Sequence, residues 1–138
     1  MEQIIKSILT KLQEVEEIKF IDVNFGQLTL ENPAVDFPCA LIDVEHINYS
    51  SIKGGHQIAE AYIDITLAFK IYAPTSAGTP IKQQNLGLQH YKIIKKVSNL
   101  LHNWEEASFS RLCRTSIKRN DKNSPISYTL SFKCQYTK

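Results

Sequence analysis

Apolar and polar side chains alternate with a period of two throughout Ala61–Tyr72, AYIDITLAFKIY, the longest stretch of the chain in which one period places every residue. Ala61, Ile63, Ile65, Leu67, Phe69 and Ile71 fall on one face of an extended strand, and Tyr62, Asp64, Thr66, Ala68, Lys70 and Tyr72 on the other. A helix would scatter Asp64 and Lys70 among the apolar positions and crowd the β-branched side chains against the preceding turn. The pattern predicts a long central strand of an antiparallel or mixed sheet, with its apolar face under helices and the other face half-polar.

The remaining elements follow from the same reasoning. Ile4, Ile5, Ile8, Leu9, Leu12 and Val15 recur at helical spacing, with Glu2, Lys6, Lys11 and Glu14 between them, which predicts an amphipathic helix of about four turns. Its polar face mixes both charges, so packing on the sheet fits it better than lying on a membrane. Ile18, Phe20, Ile21 and Val23 predict a short strand ending at Asn24–Gly26, with Leu28 and Leu30 as candidates to continue pairing. The proline-bearing ENPAVDFP connects to a strand over Cys39–Tyr49. Alternation there is imperfect, so either both faces are partly buried or a bulge shifts the phase. Ser50–Gln57 supplies a hairpin turn or a longer flexible loop, and Ala73–Gln83, with two prolines, a second polar loop. Helical periodicity returns from Gln84 to about Glu106, although Gly87 weakens the first turns by about 1 kcal/mol and moves the expected start towards Leu88. The chain closes with two strands, Phe109–Ile117 and the strictly alternating Ile126–Tyr136, around the polar turn Arg119–Pro125. The second ends so near the last residue that it implies a pairing partner rather than a frayed tail.

This order predicts an α+β fold: an antiparallel or mixed twisted sheet with an N-terminal helix and a long second helix packed on one face. With 138 residues, 43% of them hydrophobic, a single domain over 1–138 can bury its core without a metal or disulfide. The formal charge of +2 is far from the strongly cationic balance of a dedicated nucleic-acid binder. Cys39, Cys113 and Cys134 are odd in number and widely spaced, which favours buried thiols in a reducing compartment over zinc or a redox pair. The opening MEQIIKSILTKL is charged throughout and fits neither a signal peptide nor a membrane span.

Candidate chemistry is sparse. Asp43, Glu45, His46 and Asp64 are the most suggestive group, because a carboxylate orienting an imidazole is a recurring base arrangement. Strict alternation places Asp43 and Glu45 on a face that His46 does not share, and no local motif supplies a nucleophile. His90 and His102 lie twelve residues apart, about 18 Å along a helix, too far to share a metal. Lys53-Gly54-Gly55 lacks the glycine spacing of a phosphate loop. No catalytic residue, metal site or cofactor is expected.

Two surfaces carry more information. Tyr62, Thr66 and Tyr72 of the central strand, with Thr129 and Ser131 of the last, form a sheet face of small or amphipathic side chains, a candidate subunit interface as well as a solvated face. Arg111, Arg114, Lys118, Arg119 and Lys122 form the one basic concentration, either a solvated strand and loop or an electrostatic contact for nucleic acid or an acidic partner.

In order, length and alternation the chain resembles the small tail-terminator or tail-completion proteins, minor tail components of long-tailed phages and prophages. The resemblance rests on the amphipathic N-terminal helix, FPCALIDVE after a proline, AEAYIDITLAFKIY, the helical HYKIIKKVSNLLHNW and the closing ISYTLSFKCQYTK, and it covers most of the chain. It departs in having Tyr72 where related proteins often close the central strand with tryptophan, and in its positive net charge. The resemblance implies a non-enzymatic virion tail subunit, assembled in the bacterial host cytoplasm. Its partners would be copies of itself in a ring, commonly hexameric, together with the tail-tube protein, the head-completion protein and, non-specifically, passing DNA, but no membrane. A neighbouring head-closure or connector-adaptor role is the alternative within that setting. Outside it stands a soluble ligand-binding domain or enzyme, whose sign would be a pocket lined by His46, Asp64 and Glu60.

Overall fold

A computed structural model describes residues 1–30, 33–70, 78, 80–120 and 125–137, apart from the side chains of Gln84 and Leu86. Five strands, β1 (Phe20–Val23), β2 (Cys39–Ser51), β3 (Gln57–Phe69), β4 (Cys113–Arg119) and β5 (Ile126–Thr137), form one sheet in the order β1-β2-β3-β5-β4. β1 runs parallel to β2, and the other neighbours are antiparallel. The helices are α1 (Glu2–Leu12), α2 (Ile81–Gly87) and α3 (Gln89–Leu101). The α+β class, the mixed sheet and the packing of helices on one face are as the sequence predicts.

β3 is the middle strand, and its two faces separate as the alternation requires. Ala59, Ala61, Ile63, Ile65, Leu67 and Phe69 are buried in the main core. They pack there with Ile4, Ile8 and Leu12 of α1, Ile93, Ile94, Val97 and Leu101 of α3, and Leu130, Phe132 and Cys134 of β5. Burying side chains of this size contributes about 1.5–3 kcal/mol each before chain entropy is set against it. The strand begins four residues earlier than Ala61, at Gln57, because Ser51 pairs with Gln57 and the connection tightens into a turn. Gly54 and Gly55 take left-handed angles of φ 79° and 76°, and the Ile52 N–H donates to the His56 carbonyl at 2.8 Å. Ile71, Tyr72 and the proline loop up to Ala77 lie outside the described residues.

Several expected boundaries shift for identifiable reasons. α1 stops at Leu12 rather than reaching Val15, which is buried in the turn that follows. Leu28 and Leu30 extend no strand. The chain turns at Gly26 (φ 82°) into a short 3₁₀ segment, Gln27–Thr29, held by the Gln27 side-chain amide donating to the Val23 carbonyl at 2.9 Å. The long helix is broken at Leu88 (φ −101°, ψ 0°), beside Gly87, and ends at Leu101 rather than near Glu106. Asn103 then adopts φ 66°, and its N–H donates to Leu112 at 2.8 Å while the Leu112 N–H donates to Trp104 at 2.9 Å. Phe109 and Leu112 are therefore core residues of a folded loop, with Trp104 edge-on to Phe109 at 5.3 Å, and β4 begins only at Cys113.

Cys39, Ala40, Leu41 and Ile42 are all buried, so the start of β2 is covered on both faces. The helices cover one. On the other, Phe20, Leu28, Val35 and Phe37 close over Cys39, Leu41 and Ala68. This lid caps one end of the reverse sheet face from within the same chain. Burial pushes the Cys39 and Cys134 thiols up to about 11, whereas Cys113 is exposed on β4, against the expectation of three buried thiols.

His90, in the first turn of α3, is buried, with its ring 5.5 Å from Phe69 and 4.0 Å from Tyr91. Burial holds its pKa below the ordinary 6.5. The unfolded chain takes up this proton first as pH falls through 6.5, so the neutral ring stabilises the fold above that value and the contribution declines below it. Urea denaturation at a series of pH values should show this limb in the unmodified chain and a flatter one in His90→Leu. Glu2, Glu17 and Glu60, whose pKa values are lowered from 4.5, act in a separate, more acidic window.

Candidate assembly surfaces

The strand register builds the reverse face row by row. Thr66 of β3 lies between Leu41 and Thr129, Asp64 between Asp43 and Ser131, Tyr62 between His46 and Lys133, and Glu60 between Asn48 and Gln135. Tyr62, Thr66, Thr129 and Ser131 thus share one face and are half-buried, as expected, while Tyr72 lies outside the described residues. The lid covers the Leu41 end, leaving the rows from Thr66 towards Glu60 open.

A bulge between Val44 and His46 changes the expected grouping of charges. Val44 pairs with Ile63 and His46 with Tyr62, so Glu45 is the extra residue and His46 returns to the face that carries Asp43 and Asp64. The imidazole stacks on the Tyr62 ring at 4.2 Å and 10° between planes, and its Nδ1 lies 3.6 Å from Glu45 Oε2. The carboxylates serve the sheet instead. Asp64 Oδ1 accepts from the Ser131 hydroxyl at 2.7 Å. Glu60 accepts from the Tyr62 hydroxyl and, at 3.4 Å, from Gln135 Nε2, and these bonds hold its carboxyl below the usual range while the same contact pushes the Tyr62 phenol up. Across β5, Thr129 Oγ1 donates to Asn120 Oδ1, and Asn120 Nδ2 donates to Ser127 Oγ, both at 3.0 Å.

His46 and Asp64 thus share the reverse sheet face with Glu60, which lies four residues, about 13 Å, from Asp64 along β3. Surface depressions beside Trp104 and beside Ser110 include none of the three. Among the described residues no group of three or more His, Cys, Asp or Glu side chains could hold a metal ion.

The basic residues form an edge rather than a patch. Lys118 pairs with Thr129 and shares the reverse face, whereas Arg119 pairs with Tyr128 on the helix side. Arg114 Nη1, also on the helix side, donates to Ser98 Oγ of α3 at 2.6 Å. Arg111 precedes β4 and lies 3.4 Å from Glu105, and Lys122 is outside the described residues. All seven residues of β4 are exposed.

No family model matches the chain, and no curated protein matches it. Among solved structures, it is similar to a chain of the virion of a native gene transfer agent (GTA) particle, with a TM-score of 0.57 and 13% identity over 97% of this chain and 92% of that one. The likeness is one of fold. It spans nearly the full length of both chains.

Sequence reasoning missed two features. The lid was signalled by the apolar run Cys39–Ile42, which demands cover on both faces. The exposed Phe25 lay in the expected turn Asn24–Gly26, and the exposed Leu30 was a candidate to continue strand pairing.

Proposed function

We propose that this chain is a structural subunit of a phage or prophage tail, of the tail-terminator type, acting as one domain over residues 1–138. Copies form a ring, hexameric by the resemblance, at the head-proximal end of the tail tube, where the ring stops polymerisation and presents a docking face to the head-completion protein. It resides in the virion tail and is assembled in the bacterial host cytoplasm. The observation that carries this reading is the near-full-length fold likeness to a chain of a virion. The open half of the reverse face supports it. Tyr62, Thr66, Thr129 and Ser131 offer area and hydroxyls that tolerate burial against another subunit. The basic residues Arg111, Arg114, Lys118 and Arg119 support either contact between subunits or non-specific contact with phosphates of passing DNA, the latter weakening with salt.

Electron microscopy of tail tubes polymerised with and without the chain tests the assignment. The expected result is tubes of limited length carrying added density at one end only. Density bound instead to the head's connector would assign the adaptor role, and absence from both would overturn a place in the head–tail junction.

A further inference from the structure

β1 and β4 are the two opposite edges of the sheet, and the side chains around them differ in sign. Near β1 stand Glu16, Asp22 and Asp36, against Lys19 and Lys70, the latter with its Nζ 4.9 Å over the Phe37 ring, so that acidic groups are in excess. β4 carries Arg114, Lys118 and Arg119 and no acidic residue. Each flank also exposes large apolar side chains that the core does not use. Phe25 (77% exposed) and Leu30 (59%) border β1. On the other flank Ile117 (46%) is exposed on β4 itself and Tyr91 (47%) on α3, edge-on at 6.1 Å to Tyr128, the partner of Arg119. Exposed aromatic anchors ringed by charge are the usual centre of a protein contact.

We infer that the acidic flank at β1 docks on the basic flank at β4 of a second copy, head to tail. A two-fold contact of either flank with itself would set like charges against each other, which costs several kcal/mol in general and works against that geometry. Pairing two different patches of one chain is the heterologous arrangement, and it closes into a ring when the rotation per copy allows. Phe25 and Leu30 supply the apolar anchors on one side, Tyr91 and Ile117 on the other, and Lys118 and Arg119 meet the carboxylates. This rests on the ring reading above and names the lateral contact within it, in addition to the reverse face.

Two measurements test it. Light scattering of Lys118→Glu with Arg119→Glu should show self-association weakened about 100-fold, with circular dichroism and the melting temperature of the dilute monomer unchanged. Separately, Thr29→Cys, at an exposed position between Phe25 and Leu30, treated with a bismaleimide should link to the exposed Cys113 of the next copy and give a ladder beyond the dimer. The same change on a Cys113→Ser background should give no ladder. Unchanged association of the charge-reversed chain, or linkage that stops at the dimer, would overturn the flank contact while leaving the ring standing. An unmodified chain that never associates would overturn both.

Discussion

Phe132→Ala should lower the free energy of unfolding by about 3–5 kcal/mol in urea denaturation. Phe132 is 1% exposed, the largest of the fully buried side chains among the described residues, and it pairs with Ile63 at the centre of the sheet beneath the helices. Removing the ring forfeits its transfer free energy and leaves a cavity that the flanking strands cannot close without breaking the ladder. Lys133, one residue on, faces the other way beside Tyr62, and Lys133→Ala should change stability by no more than about 0.5 kcal/mol. Similar losses at both positions would mean that the two faces of β5 are not differently buried, and the assignment of the helix side would fail.

Thr66→Arg combined with Thr129→Arg should abolish assembly, weakening self-association at least about 100-fold in sedimentation, while the monomer keeps its melting temperature. The two threonines are directly opposite each other at the border of the open half of the reverse face, and both are half-buried in the isolated chain. A lone subunit can point two guanidinium groups into water at little cost. A second subunit covering them would have to strip that water without partners in place, which costs several kcal/mol per buried charge. Association at an unchanged concentration would assign this face to solvent.

The strands with strict alternation were legible because one period explains each of them. β3 and β5 carry apolar side chains at every second position, and they pair residue for residue from Ile58 with Thr137 to Phe69 with Ile126. What was not legible depends on the third dimension. The bulge at Glu45 adds one residue to β2 and moves His46 across the sheet, a change of phase that no local composition announces. The parallel pairing of β1 follows from a lid that returns over Leu41 and Ala68 rather than from β1 itself, whose four residues are too few to show a period. Trp104 fits the helical stripe of α3 although it lies beyond the helix, because the loop folds back through hydrogen bonds with Leu112 and keeps the ring against Phe109.

The candidate site divides in the same way. Tyr62, Thr66, Thr129 and Ser131 were found because alternation assigns faces, and the register brings them side by side. The basic run was visible as composition, and adjacency alone puts Lys118 and Arg119 on opposite faces of β4, but the irregular pairing between Arg114 and Ser116 is what places Arg119 rather than Lys118 on the side of Arg114. The charge difference between the flanks emerges only once β1 and β4 are known to be the outermost strands.

Native mass spectrometry of the purified chain over a concentration series is the most direct test of a ring-forming subunit. The expected result is one closed oligomer with a fixed copy number, hexameric by the resemblance, gaining population at the expense of monomer as concentration rises. Monomer at every concentration, or a continuous distribution of lengths without closure, would contradict it.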